Sequence, residues 1–175
     1  AQMVHWPEAM VTFDTTNGVL FSADAFGSFG SLDGRLFDDE VNFDRDWIDN
    51  ARRYFTNIVG KYGSQVQALL KKAKTLEFET ICPLHGPVLT EDLEYYIGKY
   101  DLWSRYEPED DGVFIACASI HGNTMNACRK LSEILTEKGA KKVVVTDLAR
   151  DDMAEAVEDA FRYDKIVFAA ASYDA

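Results

Sequence analysis

The chain has 175 residues, of which 47% are hydrophobic and 13% aromatic, and this content suffices to bury the core of one large domain or two small ones. Its formal net charge of −12 argues against extended, non-specific binding to nucleic acid or to an anionic membrane surface. We find no apolar run of about 18 residues that predicts a membrane span, and we expect no signal peptide at the start of the chain.

The first half predicts a β-hairpin followed by helices and a third strand. Asn17-Gly18 between two short apolar runs is a strong hairpin signal. Residues 26–43 are rich in Gly and Asp and lack periodicity, which predicts a loop. Apolar residues then recur at helical spacing. The predicted elements are, in order, strands 10–14 and 19–22, the loop, helices 44–58 and 64–73, strand 78–81, and a helix 90–106 with Thr90 as its N-cap.

A polar, proline-containing linker at 107–111 separates this half from the second. Beyond it, runs rich in Val, Ile and Phe without polar alternation predict parallel strands covered on both faces. The predicted elements are strand 113–118, helix 123–138, strand 142–146, helix 151–161 and strand 165–170. This alternation predicts a doubly wound α/β unit, in which ligands bind at the carboxyl ends of the strands. We therefore predict two domains, residues 1–107 and 108–175.

The three cysteines, Cys82, Cys117 and Cys128, form no Cys-x-x-Cys pair and are odd in number. Cys117 lies in an apolar strand run and Cys128 on an early helical turn, so we expect both to be buried thiols. Free thiols favour a reducing compartment, and we expect the protein to be cytoplasmic.

The first strand of the second half leads into a loop suited to an anion. Residues 119–124 read Ser-Ile-His-Gly-Asn-Thr and precede a helix, whose first N–H groups are unpaired and lie at the positive end of its dipole. Ser119, Asn123 and Thr124 can add hydrogen bonds, and Gly122 lets the backbone approach closely. The loop lacks the lysine that a nucleotide P-loop requires. The alternative is a plain strand-to-helix turn capped by Ser119 or Asn123.

Three potential metal ligands of the first half, His5, Asp24 and His85, lie where strands meet loops. Imidazole nitrogens and carboxylate oxygens without thiolate suit iron, and equally zinc or manganese. Taken singly, each residue has an ordinary alternative. Asp24 is also a typical turn or cap residue, and an isolated histidine is commonly structural.

Four motifs, in their order and spacing, resemble those of the flavodiiron proteins (A-type flavoproteins). They are His-Trp-Pro-Glu-Ala-Met at 5–10, Leu-Phe-Ser-Ala-Asp-Ala-Phe-Gly at 20–27, Cys-Pro-Leu-His-Gly-Pro at 82–87 and Ser-Ile-His-Gly-Asn-Thr at 119–124. That family fuses a metallo-β-lactamase-like diiron domain to a flavodoxin-like FMN domain. The resemblance implies an α/β fold class: the C-terminal part of a metallo-β-lactamase-like αββα sandwich, followed by the first three strands of a flavodoxin-like doubly wound parallel sheet.

The resemblance also implies which residues hold two irons. His5 matches a ligand to one iron, His85 a ligand to the other, and Asp24 the carboxylate that bridges them. The family carries further ligands in an upstream His-x-Glu-x-Asp motif, and this sequence has no such motif. We therefore expect the chain to be a segment of a longer protein, to hold half of a coordination sphere and to be inactive by itself.

Two loops match the flavin-binding loops of the family. Ser119, His121, Gly122, Asn123 and Thr124 match the loop that holds the FMN phosphate. Residues 171–174 resemble the second flavin loop, where Ser-Pro-Thr-Tyr-Asn is common. Ala171 stands where proline is usual and Asp174 where an amide is usual. Ser172 and Asp174 are expected to face the pyrimidine edge and the N5 region, and Tyr173 to pack on the ring.

The resemblance implies an oxidoreductase that takes electrons from rubredoxin or another electron-transfer protein. FMN would pass them to the diiron site, which reduces O2 to water and/or NO to N2O. A head-to-tail homodimer or homotetramer is also implied. Two alternatives remain open: a zinc-dependent hydrolase of the metallo-β-lactamase fold with an accessory α/β domain, and a non-catalytic fragment.

Overall fold

The computed structural model describes residues 2–172, which divide into two units. The first unit ends at Tyr106 and the second begins at Glu107. No helix within the described residues is long and apolar enough to cross a membrane.

The first unit contains a three-stranded sheet in the order β1-β2-β3. β1 (Thr12–Asp14) and β2 (Val19–Ala23) form the predicted antiparallel hairpin, and Asp14 closes its turn by accepting a 2.8 Å hydrogen bond from the Thr16 N–H. β3 (Thr80–Pro83) pairs in parallel with β2 and begins two residues later than predicted. Because β2 and β3 are parallel, their carboxyl ends lie at the same edge of the sheet.

Short helices surround this sheet. They are α1 (Phe43–Asp46), α2 (Ile48–Tyr54), a π-helical stretch (Phe55–Val59), a 3-10 turn (Gly60–Tyr62), α3 (Gly63–Ala73) and α4 (Leu93–Ser104). The single helix predicted over 44–58 is wrong, because the backbone leaves the helical region at Trp47. The Trp47 ring packs so closely on Gly30 that a Cβ there would lie 3.0 Å from the ring. Tertiary packing thus overrides the helical pattern.

The predicted loop 26–43 is not without structure, because it contains a 3-10 turn at Asp38–Glu40. The buried Asp38 carboxylate accepts hydrogen bonds from the Thr90 N–H and hydroxyl, both at 2.8 Å, and from the Tyr96 hydroxyl at 3.0 Å. Thr90 is therefore not the helix cap that the sequence predicted. Helix α4 begins at Leu93 instead.

The largest core side chains of the first unit are aromatic, and one of them carries an unpaired hydroxyl. The Tyr100 ring on α4 is buried, and its hydroxyl lies beside the backbone of Phe26 and Gly27. Within residues 2–172 this hydroxyl makes no hydrogen bond of normal geometry. An enclosed hydroxyl without a partner has lost its hydration without compensation.

We expect Tyr100→Phe in the full-length protein to raise the free energy of unfolding by about 1 kcal/mol, because it removes this unpaired group and keeps the ring. Urea unfolding measures the change. Tyr96→Phe is the matched control, since its hydroxyl bonds to Asp38 and its loss should lower stability. A Tyr100→Phe protein less stable than wild type would contradict the prediction.

The second unit is the predicted doubly wound α/β arrangement. Its elements are β4 (Asp110–Ala118), α5 (Asn123–Glu137), β5 (Val143–Asp147), α6 (Met153–Arg162) and β6 (Tyr163–Ala170). The strands are parallel in the order β5-β4-β6, with the first strand in the centre. This order matches the beginning of the flavodoxin-like sheet.

A helix packs on each face of the central strand β4, but the edge strand β6 exposes Ile166 and Phe168, so the predicted coverage of both faces is wrong for β6. Ile115 and Cys117 of β4 pack with Cys128 of α5 on one face, whereas Phe114 packs with Ala156 of α6 on the other. Cys117 and Cys128 are buried free thiols, as predicted. Burial raises the pKa of Cys117 to about 11, so this thiol is neutral at physiological pH.

Candidate functional site

The three potential metal ligands come together at the carboxyl ends of β2 and β3. Asp24 directly follows β2, and His85 follows β3 by two residues. His85 Nε2 lies 3.4 Å from Asp24 Oδ1, and His5 Nε2 lies 3.6 Å from Asp24 Oδ2. The two imidazoles therefore face different oxygens of one carboxylate.

Backbone hydrogen bonds extend the pairing of β2 and β3 into the loops that carry these residues. The Leu84 N–H donates to the Ala23 carbonyl at 2.9 Å, and the Ser28 N–H donates to the His85 carbonyl at 3.1 Å. Both loops are thus fixed on either side of the Asp24 and His85 side chains. Their relative position is set by the sheet rather than by the side chains themselves.

Tyr54, at the end of α2, is a site residue that the sequence analysis missed. Its hydroxyl donates a 3.2 Å hydrogen bond to Asp24 Oδ1, and its ring centre lies 5.7 Å from that of His85. Burial and the Asp24 charge both raise the pKa of Tyr54, so the phenol stays protonated and can donate. Its helical spacing predicted only a core position, and the sequence carries no signal for where the hydroxyl points.

These side chains border an open cleft of about 550 Å³. His5, Ser28, Tyr54 and His85 are the residues with polar side chains that line it, and Phe29 and Leu84 are among its apolar residues. Asp24 is about one-fifth exposed, whereas the His85 side chain is about half exposed. The cleft is therefore open to solvent and to a small ligand.

The chemical types of these three side chains suit a pair of metal ions, but the three side chains are too few to bind two ions fully. Within residues 2–172 no three His, Cys, Asp or Glu side chains are arranged around one ion. Separations of 3.4 and 3.6 Å are too long for good hydrogen bonds. They are close to the spacing of two ligands that share one metal at bond lengths of about 2.1 Å. Each carboxylate oxygen with its imidazole thus provides two donor atoms at a spacing that suits one ion, and two donors are too few to complete a coordination sphere.

In the second unit, the loop after β4 has the geometry of an anion cradle. Gly122 has φ +86 and immediately precedes α5, and its N–H donates to the buried Ser119 Oγ at 3.0 Å. A Cβ at Gly122 would meet no atom within 4 Å, so the space over this turn is open. His121 and Asn123 are exposed and Thr124 is half-buried. The first amides of α5, which have no acceptor within the helix, follow directly after this turn.

The second predicted flavin loop lies beside the first. The Ala171 N–H donates to the Ala118 carbonyl at 3.3 Å, which places Ala171 next to the residue that precedes Ser119. Ser172 is exposed and follows directly. Tyr173 and Asp174 lie outside the described residues.

Relatives of the chain include proteins named for nitric oxide reduction. The chain is 31% identical over 163 residues to the anaerobic nitric oxide reductase flavorubredoxin of Aeromonas hydrophila, covering 91% of this chain and 32% of that protein. It is 32% identical over 152 residues to an uncharacterized protein of Methanocaldococcus jannaschii, covering 85% of this chain and 38% of that protein. No protein-family profile matches the chain.

Solved structures with the same fold include a flavodiiron protein and a rubredoxin oxygen:oxidoreductase. The flavodiiron protein of Giardia intestinalis has a TM-score of 0.86 at 24% identity, covering 94% of this chain and 40% of that chain. The rubredoxin oxygen:oxidoreductase of Desulfovibrio gigas has a TM-score of 0.86 at 23% identity, covering 95% of this chain and 41% of that chain.

These comparisons confirm the predicted fold class, the C-terminal part of a metallo-β-lactamase-like domain followed by the start of a flavodoxin-like domain. The chain spans between a third and two fifths of the length of its relatives. Motifs, fold and relatives agree, and the chain belongs to the flavodiiron proteins as a segment of one.

Proposed function

We propose that the full-length protein is a flavodiiron oxidoreductase that passes electrons from FMN to a non-haem diiron site, which reduces O2 to water and/or NO to N2O. The names of its relatives support nitric oxide and oxygen as substrates. In this proposal residues 1–107 belong to the diiron domain and residues 108–175 to the FMN domain. The segment alone is inactive, because it holds too few ligands for two irons.

One observation carries the proposal: two histidines from distant parts of the chain face opposite oxygens of one carboxylate. Asp24 would hold both irons, His5 one of them and His85 the other. Tyr54 holds the Asp24 carboxylate in place through its hydroxyl. An ion pair between Asp24 and one protonated histidine would not require the second imidazole.

The loop after β4 holds the FMN phosphate. Ser119 fixes the Gly122 turn, and the turn directs the first amides of α5 at the phosphate. His121, Asn123 and Thr124 border the same space. Residues 171–174 then contact the flavin ring. When bound, FMN exchanges electrons singly or in pairs, and the irons bind and polarise the diatomic gas.

The electron donor in this proposal is rubredoxin or another electron-transfer protein, as the name of the Desulfovibrio gigas enzyme suggests for the family. The protein functions in the cytoplasm as a head-to-tail homodimer or homotetramer. The buried free thiols favour a reducing compartment.

Visible absorbance and elemental analysis of the purified full-length protein test the proposal together. We expect flavin bands and about two irons per chain. Zinc without a yellow colour would instead support a hydrolase of the metallo-β-lactamase fold. A colourless, metal-free protein would support a non-catalytic role.

A further inference from the structure

We infer that Phe26 is a positioning residue for Asp24: its ring anchors the turn that directs the Asp24 carboxylate toward His5 and His85. The inference rests on the proposed function in one respect, because it takes Asp24 to be a metal ligand. It concerns a side chain that contacts neither a metal nor a substrate.

The backbone on both sides of Asp24 is in an unfavourable conformation. Ala23 has φ +55 and Phe26 has φ +64, a region that favours glycine. The chain reverses here within a few residues: the Ala25 N–H donates to the Ser22 carbonyl at 3.1 Å, and the Gly27 N–H to the Asp24 carbonyl at 3.2 Å. A turn with two such residues persists only if its surroundings hold it.

The packing of the Phe26 ring in the core holds this turn. It is only 6% exposed, and its centre lies 4.4 Å from that of Tyr100. Tyr100 in turn contacts Phe55 at 5.0 Å and Trp103 at 5.8 Å. The ring is thus fixed in an aromatic cluster carried by α4 and the π-helical stretch.

Hydrogen bonds hold this turn as well, since the Ser22 hydroxyl donates to the Ala25 carbonyl at 2.7 Å and the Tyr54 hydroxyl donates to Asp24 Oδ1 at 3.2 Å. The Tyr100 hydroxyl lies beside the backbone of the turn but makes no hydrogen bond of normal geometry within the described residues. The link between α4 and the Asp24 turn is therefore the packing of the Phe26 ring on Tyr100, which acts beside the Tyr54 hydrogen bond from α2. Removing the Phe26 ring would loosen the turn and allow the carboxylate to shift.

The test is a Co²⁺ titration of the metal-free full-length protein, followed by the visible spectrum of bound cobalt. Phe26→Gly keeps the positive φ without cost but removes the ring. We expect it to lower cobalt affinity about 10- to 100-fold, the usual effect of losing a group that orients a ligand, and to change the cobalt spectrum. Phe26→Leu, which keeps an apolar side chain in the cluster, should lose less affinity.

Phe43→Ala is the matched control. Phe43 borders the same small cavity as Phe26 and packs edge-on against Tyr96 at 4.7 Å, but it lies on α1 and not on the Asp24 turn. Its loss should lower stability and leave cobalt affinity and spectrum unchanged. An equal loss of affinity in Phe26→Gly and Phe43→Ala would overturn the inference, because it would reflect general destabilisation.

The outcomes separate this inference from the proposed function. A wild-type protein that binds no cobalt would overturn the diiron assignment itself. A wild-type protein that binds cobalt, together with Phe26→Gly that binds it equally and with the same spectrum, would overturn only the role of Phe26. If Phe26→Gly fails to fold, Phe26→Leu decides, and unchanged affinity in that variant counts against the inference.

Discussion

Asp24→Ala in the full-length protein should lower the affinity for both irons by more than about 100-fold and abolish gas reduction. Asp24 is placed to contribute one oxygen to each metal, because His5 and His85 lie against different oxygens of its carboxylate. Removing it takes a ligand from each ion. It also removes the negative charge that offsets the repulsion between two neighbouring cations.

Iron content by elemental analysis and activity with O2 and with NO measure this effect. Asp33→Ala is the control for loss of one carboxylate from the same unit, since Asp33 is exposed and pairs with its near neighbour Arg35. The Arg35 guanidinium lowers the pKa of Asp33 to about 2, so this side chain is charged at neutral pH, as a metal-bound carboxylate is. Full iron content in Asp24→Ala would refute the bridging role.

Gly122→Ala should lower FMN affinity by at least tenfold, which corresponds to about 1.4 kcal/mol. The free space over Gly122 is where a phosphate would approach the amides of α5, and a methyl group would occupy part of it. Alanine at φ +86 also strains the backbone, by about 1–2 kcal/mol. The predicted effect on FMN therefore has to be separated from a general loss of stability.

Gly139→Ala makes that separation. Gly139 follows the other end of α5 with φ +93, and a Cβ there would also meet no atom within 4 Å. Both variants should lose similar stability on urea unfolding, whereas only Gly122→Ala should bind FMN weakly in a fluorescence titration. Equal FMN affinity in the two variants would show that the loop after β4 does not hold the phosphate.

The second unit could be predicted from the sequence almost completely, and physical reasons explain this. The central strand β4 is covered on both faces, so its residues form an unbroken apolar run that stands out from its neighbours, whereas Ile166 and Phe168 of the edge strand β6 are exposed. The observed β5 (Val143–Asp147) lies one residue from its predicted position, and β6 (Tyr163–Ala170) begins two residues early. Gly122 was recognisable because it lies in the loop between a strand and a helix, where glycine lets the backbone approach an anion closely. The structure adds that its φ is +86.

The first unit was less predictable, because long-range contacts decide its local structure. The Thr90 side chain bonds to Asp38, which is 52 residues away in sequence, instead of capping a helix. The helix break at Trp47 depends on the contact of its ring with Gly30. Neither contact leaves a local pattern in the sequence.

The candidate metal ligands were found through motifs, but their surroundings were not. His5, Asp24 and His85 carry donor atoms that any reader of the sequence can select, and the structure brings them together. Tyr54 was predicted only as part of the helix 44–58, and Phe26 belonged to the motif at 20–27 without a role of its own. Such a ring can pack in a core or orient a ligand, and the direction of its edge or hydroxyl decides between the two roles. The spacing of apolar residues along the sequence does not encode that direction.

The backbone bonds between the loops after β2 and β3 also determine the order of assembly. Asp24 and His85 are adjacent only once these strands have paired, since 60 residues of chain lie between the two loops. Asp24 and His85 therefore form no joint site before the sheet has formed. Their shared contribution to metal binding is expected only on a protein in which β2 and β3 have already paired.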